Sequence, residues 1–147
     1  LNSSIPGKIR IVREFGELPM VECYAGKINQ VFMNIIGNAI KFNTKEEKTV
    51  VIRYKDQGDV HRFSISDNGP GIDPRFHEKI FQIFQTINSR DSFESTGVGL
   101  AIVKKIIDEQ TARVWVESEP GSGTTFHFTW PKESEVFART NFPATSN

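Results

Sequence analysis

Asn34-Ile35-Ile36-Gly37-Asn38-Ala39-Ile40-Lys41-Phe42 closes a longer stretch, 26–43, on which the reading of the whole chain turns. Within it Ile28, Val31, Phe32, Ile35, Ile36, Ala39 and Ile40 recur at three- and four-residue spacing, the pattern of a helix with one buried face. At about 100° per residue, Asn34, Asn38 and Lys41 fall within roughly 60° of one another. They border that apolar face instead of opposing it. Each Asn costs about 0.7 kcal/mol relative to Ala inside a helix, so both are kept against propensity. A carboxamide offers an oxygen to a hard cation and an N–H to an anion, and Lys41 can reach a phosphate. The same residues would also suit a boundary helix whose Asn side chains face water.

Upstream, Ile9 and Ile11 alternate within 8–14 as on a strand, with Phe15 on the same side. Gly16 and Pro19 mark a turn, and 20–24 reads as a short strand carrying Cys23 as a buried small hydrophobe. Downstream, the polar run 43–48 stops the helix, and 49–54 and 60–66 alternate around Gly58 as a hairpin. From Asp67 to Val98 the periodicity weakens; so long a loop in a compact domain is usually functional. A second amphipathic helix is expected over 98–109, then strands over 113–118 and 124–130. Pro131 closes the domain, 1–131, and 132–147 is expected to be a disordered tail. Strands interleaved with helices give an α/β (α+β) two-layer sandwich, a mixed β-sheet covered on one face by helices.

Composition narrows the function. The chain has 147 residues, 37% apolar and 24% charged, which fits one core and excludes wholesale disorder. Its 18 Lys plus Arg balance 18 Asp plus Glu, against nucleic acid or an anionic membrane as main partner. A single cysteine excludes an internal disulfide framework and fits a reducing compartment. No run approaches the ~18 apolar residues of a membrane span. Leu1-Asn2-Ser3-Ser4 carries no signal pattern, so the chain reads as a piece of something longer.

Three glycine loops carry the candidate chemistry. Asp67-Asn68-Gly69-Pro70-Gly71 follows a strand. An Asp there, beside glycines that permit close backbone approach, can accept a hydrogen bond from a ligand amine; the same residues would make an ordinary turn. Gly97-Val98-Gly99-Leu100 opens the second helix, where free N–H groups and the helix dipole form an anion site. It is neither a Walker loop nor a dinucleotide fingerprint, and Ser95 and Thr96 would serve equally as caps. Gly121-Ser122-Gly123-Thr124 leads into the last strand, with Thr124 set to hydrogen-bond inward.

Taken together, these segments resemble the ATP-binding catalytic domain of sensor histidine kinases, whose superfamily includes gyrase, heat-shock chaperone and mismatch-repair ATPases. The resemblance rests on five boxes in family order: 34–42, 67–72, the phenylalanine box Ile80-Phe81-Gln82-Ile83-Phe84, 96–103 and 121–126. It implies a Bergerat-type sandwich of a mixed sheet and about three helices, binding ATP with Mg²⁺ under a lid spanning about 74–96. By position, Asn38 would ligate Mg²⁺, Asn34 would lie beside metal and phosphates, and Lys41 would pair with the phosphates. Asp67 would accept from the adenine amine, Gly69 and Gly71 would let the base approach, and Ile72 and Phe42 would pack near it. Gly97, Val98, Gly99 and Leu100 would present backbone amides to the phosphates. Thr124 would support the adenine end, and Arg90 in the lid is the candidate γ-phosphate contact.

Position 34 separates subfamilies. Hydrolysing relatives carry Glu there to activate water, whereas Asn34 cannot act as a general base. The resemblance therefore implies a protein-histidine kinase of a bacterial two-component system. It would transfer the γ-phosphoryl group to a histidine on a separate dimerisation/acceptor domain, with a response regulator as indirect partner. An autonomous ATPase and a non-catalytic nucleotide-binding module are the alternatives. His61 and His127 fall in expected strands, and His77, although followed by Glu78, lies in the lid, so the acceptor is expected outside this chain. The isolated domain would be monomeric and cytoplasmic, without membrane contact of its own, in a parent that can be membrane-anchored. At 110–112 the chain has Gln-Thr-Ala where the family commonly has His-Gly-Gly; without glycine a left-handed backbone position is less easily held, so the helix-to-strand connection can differ there.

Overall fold

In the computed structural model, which describes residues 8–14, 25–82 and 93–132, β1 (Lys8–Glu14) precedes α1 (Ala25–Lys41). A hairpin follows, β2 (Glu47–Asp56) and β3 (Val60–Asp67), then two single 3-10 turns, Pro74–Phe76 and Lys79–Phe81. The chain continues through α2 (Phe93–Glu109), β4 (Val114–Ser118) and β5 (Thr124–Pro131). The strands form one sheet in the order β1-β2-β3-β5-β4. β1 is parallel to β2 and every other neighbour pair is antiparallel, so the sheet is mixed.

The helical periodicity places Val31, Ile35 and Ala39 of α1 in the core, joined by Leu100, Val103, Ile106 and Ile107 of α2. Both helices lie against Val50, Phe63, Ile65, Phe126, Phe128 and Trp130 of the sheet. Strand alternation turns those residues to one face and leaves Ser64, Ser66, Thr125 and His127 on the other. Phe63 and Phe128 stack across β3 and β5 with centroids 5.2 Å apart, and Phe32 meets both edge-on at 5.2 and 5.1 Å. This aromatic triplet joins α1 to the middle of the sheet.

Several boundaries differ from the sequence reading, two of them instructively. β2 begins at Glu47 instead of 49, because Lys48 is buried and its Nζ donates to the Ile40 carbonyl at 3.2 Å. That places a cation on the open C-terminal end of α1, where the helix dipole favours it. α2 begins at Phe93 instead of 98. Glycine lowers the helical signal at 97 and 99, but extending a formed helix adds one hydrogen bond per residue fixed, which offsets that cost. α2 keeps a left-handed end at Gln110-Thr111-Ala112 despite the missing glycines: Thr111 takes φ +56° and the Ala112 amide donates to the Ile107 carbonyl at 3.0 Å. The helix thus closes in the Schellman manner on a β-branched residue in a left-handed conformation.

No helix among the described residues is long and apolar enough to cross a membrane. The expected strand 20–24 with Cys23, the middle of the expected lid including Arg90, and the tail beyond Lys132 lie outside the described residues.

Candidate functional site: a cleft between helices and sheet

A cleft of about 660 Å³ opens where the C-terminal half of α1, the 67–73 loop and the start of β5 converge. Asn38, Phe42, Asp67, Gly69, Gly71, Ile72, Leu100 and Thr124, all expected site residues, line it. They arrive from α1, β3, α2 and β5. The topology, not the sequence order, brings them together.

Asp67 forms the floor. It ends β3, and its Oδ1 accepts the Gly69 amide at 2.8 Å. Burial pushes its carboxyl above the usual Asp range, while hydrogen bonds from the Gly69 and Thr124 amides pull the other way. A partly desolvated carboxylate with a cleft before it is a strong acceptor for a ligand amine. Gly71 has φ +84°, and a β-carbon there would run into the Glu119 carbonyl, so only glycine lets the two loops touch.

Two groups of residues that sequence reasoning passed over hold these loops. Asn43 Nδ2 donates to Asn68 Oδ1 at 2.7 Å, and the same oxygen accepts the Thr49 amide at 2.9 Å. Asn68 Nδ2 donates to the Glu47 carbonyl at 3.0 Å, so the loop is tied to the end of α1 and the start of β2. On the other wall Ser118 Oγ donates to the Gly123 carbonyl at 2.7 Å, accepts the Ile72 amide at 2.7 Å and lies 2.9 Å from Thr124 Oγ1. The sequence signal was weak in both cases: Asn and Ser beside glycines read as turn chemistry.

Beside the cleft, α1 and α2 come together. A β-carbon on Gly99 would lie 3.7 Å from both Asn34 Oδ1 and Asn38 Nδ2, so the two asparagines and α2 meet here. The Nδ2 atoms of Asn34 and Asn38 are buried without a hydrogen-bond partner among the described residues. Buried polar groups are almost always satisfied, and a ligand is one way to satisfy these. Lys41, in the last turn of α1, is exposed and sets its ammonium 5.5 Å from the Phe42 ring centroid. Lys41 and Asn34 are not part of the cleft lining. Since α2 starts at Phe93, Gly97, Val98 and Gly99 are interior helical residues instead of opening it. From the fifth residue onward the helical ladder claims the amides.

The segment expected to form a lid is described over its first residues, 74–82, and again from 93. Asp73 accepts the Arg75 amide at 2.8 Å and caps the first 3-10 turn. His77 Nε2 lies 3.0 Å from the Ile72 carbonyl, so this histidine fastens the lid base. Phe76 and Lys79 line the cleft, and Phe81 packs edge-on against Phe126 at 6.1 Å.

Comparison with known proteins agrees with this geometry. Residues 24–134 match the family described as histidine kinase-, DNA gyrase B-, and HSP90-like ATPase. Over 130 residues the chain is 45% identical to cyanobacterial phytochrome A of Nostoc sp. strain PCC 7120, covering 88% of this chain and 17% of the phytochrome. It is 45% identical over 118 residues to the phytochrome-like protein Cph1 of Synechocystis, 80% of this chain and 16% of that one. The chain thus spans about a sixth of these relatives. Among solved structures, the nucleotide-free catalytic domain of histidine kinase ThkA superposes with TM-score 0.72 at 31% identity, covering 91% of this chain and 84% of that one. Full-length ShkA in complex with AMPPNP gives TM-score 0.71 at 30% identity over 88% of this chain and 26% of that one. The chain belongs to the histidine kinase-, DNA gyrase B- and HSP90-like ATPase family, as an ATP-binding catalytic domain of the histidine kinase type.

Proposed function

We propose that the cleft binds Mg-ATP and that the domain passes the γ-phosphoryl group to a histidine on a separate dimerisation/acceptor domain of its parent protein. The observation that carries this is the pair of buried Nδ2 atoms of Asn34 and Asn38, without a hydrogen-bond partner among the described residues, close to Gly99 of α2 and beside a cleft floored by Asp67. Asp67 orients the base through its amine, while Phe42 and Ile72 take its faces. Asn38 turns its oxygen to the cation, and the Asn34 amide donates to phosphate. These donors fit Mg²⁺, which keeps several waters and needs only one or two protein oxygens besides the phosphates. Bound there, Mg²⁺ neutralises charge on the transferring phosphoryl group.

Lys41 swings from its exposed position toward the phosphates. The Gly97 and Gly99 amides become donors once the turn of α2 before them opens. Arg90 reaches the γ-phosphate from the lid. No residue here takes a proton from water: a carboxamide stands at position 34. The nucleophile is the acceptor's imidazole nitrogen; its bond to phosphorus forms as the β–γ bridging P–O bond breaks and ADP leaves. A response regulator would receive the phosphoryl group afterwards, on the cytoplasmic side of any membrane the parent spans.

The test is incubation with γ-labelled ATP and the matching acceptor domain, with Asp67→Asn as the weakened-binding control at ATP below its raised dissociation constant. Label should appear on the acceptor in a Mg²⁺-dependent way. Free phosphate released at an equal rate without the acceptor, or an unlabelled acceptor despite proven Mg-ATP binding, would overturn the reading.

A further inference from the structure

The sheet face turned away from α1, α2 and the cleft carries an ordered line of cations. By register Lys55 of β2 lies opposite Arg62 of β3, and Arg62 opposite Thr129 of β5. Thr129 in turn exchanges hydrogen bonds with the backbone of Arg113, at 2.9 and 3.1 Å, so Arg113 extends the line at the β4 edge. Like charges directly opposite across strands are unfavourable. Elsewhere on this face Arg10 pairs with Glu47 at 3.7 Å and Arg53 with Glu14 at 2.8 Å. Among the described residues, Lys55, Arg62 and Arg113 have no carboxylate within ion-pair distance.

The two guanidiniums are also held in place. Arg62 and Arg113 lie 5.1 and 4.9 Å from the Trp115 ring centroid, both against one indole. Trp115 is stacked on His127 at 5.1 Å and 20°. His127 is gripped on both nitrogens: Nε2 lies 2.6 Å from Glu117 Oε1, while Nδ1 lies 2.8 Å from Ser64 Oγ and 3.1 Å from the Arg62 guanidinium. A guanidinium can only donate, so Nδ1 is the acceptor and Nε2–H points to Glu117. Glu117 is thereby engaged by the histidine, leaving Arg62 and Arg113 as fixed forks of the kind that take carboxylates bidentately.

We propose that this end of the outer sheet face docks an acidic, extended polypeptide segment of a partner protein, its carboxylates on Lys55, Arg62 and Arg113 with Trp115 beneath. Spacing suits it over the whole line: Lys55 and Arg113 lie three strand steps of about 4.8 Å apart, about 14 Å, which two steps of about 7 Å between alternate side chains of an extended segment also span. Charge favours polypeptide over nucleic acid. Three cations are few beside the roughly 6–10 phosphate contacts through which a DNA binder gains strong, salt-dependent affinity. Since the site faces away from the cleft, the proposal stands apart from the nucleotide reading.

The probe is a fluorescein-labelled ten-residue peptide of alternating Glu and Thr, its anisotropy followed against the full chain, with a Gln/Thr peptide as control. The acidic peptide should bind, weaken as salt rises and perturb tryptophan emission in the parent but not in Trp115→Phe. Lys55→Glu with Arg113→Glu should weaken it at least tenfold while melting temperature and ADP binding stay unchanged. Equal affinity for the double variant or for the Gln/Thr peptide would overturn the proposal. So would equal or tighter binding of a twenty-nucleotide single-stranded DNA, which would make the face a general polyanion surface.

Discussion

Two glycine-to-alanine substitutions should move stability in opposite directions. Gly71 sits at φ +84°, and its added β-carbon would meet the backbone carbonyl of Glu119. That carbonyl cannot retreat easily, because it accepts the Ser122 amide at 3.0 Å in the turn leading to Gly123. The left-handed conformation costs about 1–2 kcal/mol for a residue with a β-carbon. Overpacking against a fixed neighbour adds about 1–3 kcal/mol. Gly71→Ala should therefore lose about 2–5 kcal/mol, a melting point roughly 5–20 °C lower at about 2–4 °C per kcal/mol. Gly37 lies inside α1 with no heavy atom within 4 Å of its virtual β-carbon and no positive φ. Gly37→Ala should gain about 0.5–1 kcal/mol. Both are read by calorimetry or urea titration of the apo domain. ATP titration follows: the displaced 67–73 loop should weaken binding in Gly71→Ala alone. If Gly71→Ala melts within about 2 °C of the parent, the argument that the loops touch only through a bare α-carbon is wrong.

Other outcomes follow from the same structure. Thr111→Gly relieves the φ +56° position at the end of α2 and should stabilise by about 0.5–1 kcal/mol, after the greater flexibility of unfolded glycine is counted, with ATP affinity unchanged. Phe128→Ala removes the centre of the aromatic triplet, fully buried, and should cost about 3–5 kcal/mol in urea unfolding. Asp67→Asn should lower ATP affinity about tenfold to over a hundredfold, from roughly 1.5–3 kcal/mol of charge-assisted hydrogen bonding, measured by calorimetric titration. Its pH signature is distinctive. Burial raises the carboxyl in the folded state, so between the ordinary value of 3.8 and the folded value the native form holds the extra proton. The stability of the parent relative to Asp67→Asn should then fall as pH rises through that window and level off above it; a rising difference would contradict the burial argument.

Local patterns were legible and distant agreements were not. The spacing from Ile28 to Ile40 announced α1, and alternation around Gly58 announced the hairpin, because both depend on near neighbours. The start of α2 was hidden by Gly97 and Gly99, which lower helical propensity without stopping a helix already under way. The cleft was legible as boxes, yet the residues that hold the boxes together were silent. Asn43 meets Asn68 across 25 positions and Ser118 meets Ile72 across 46, pairings set by sheet register. The cation line was equally invisible, since Lys55, Arg62 and Arg113 become neighbours only when β2, β3, β5 and β4 lie side by side.

The hydroxyl of Ser118 decides which way a neighbouring proton points. Its own hydrogen is committed to the Gly123 carbonyl, which can only accept. One of its lone pairs takes the Ile72 amide. At 2.9 Å, Thr124 must then be the donor in their mutual bond, so the Thr124 proton is directed away from the cleft. What Thr124 shows to a ligand is lone pairs, beside a carboxylate that is likewise electron-rich. On the proposed reading, this end of the cleft would have a fixed polarity: it would welcome an exocyclic amine or a bridging water that donates, and repel a carbonyl at the same place. Discrimination between amino- and oxo-purines would then come through a serine that need not touch the base.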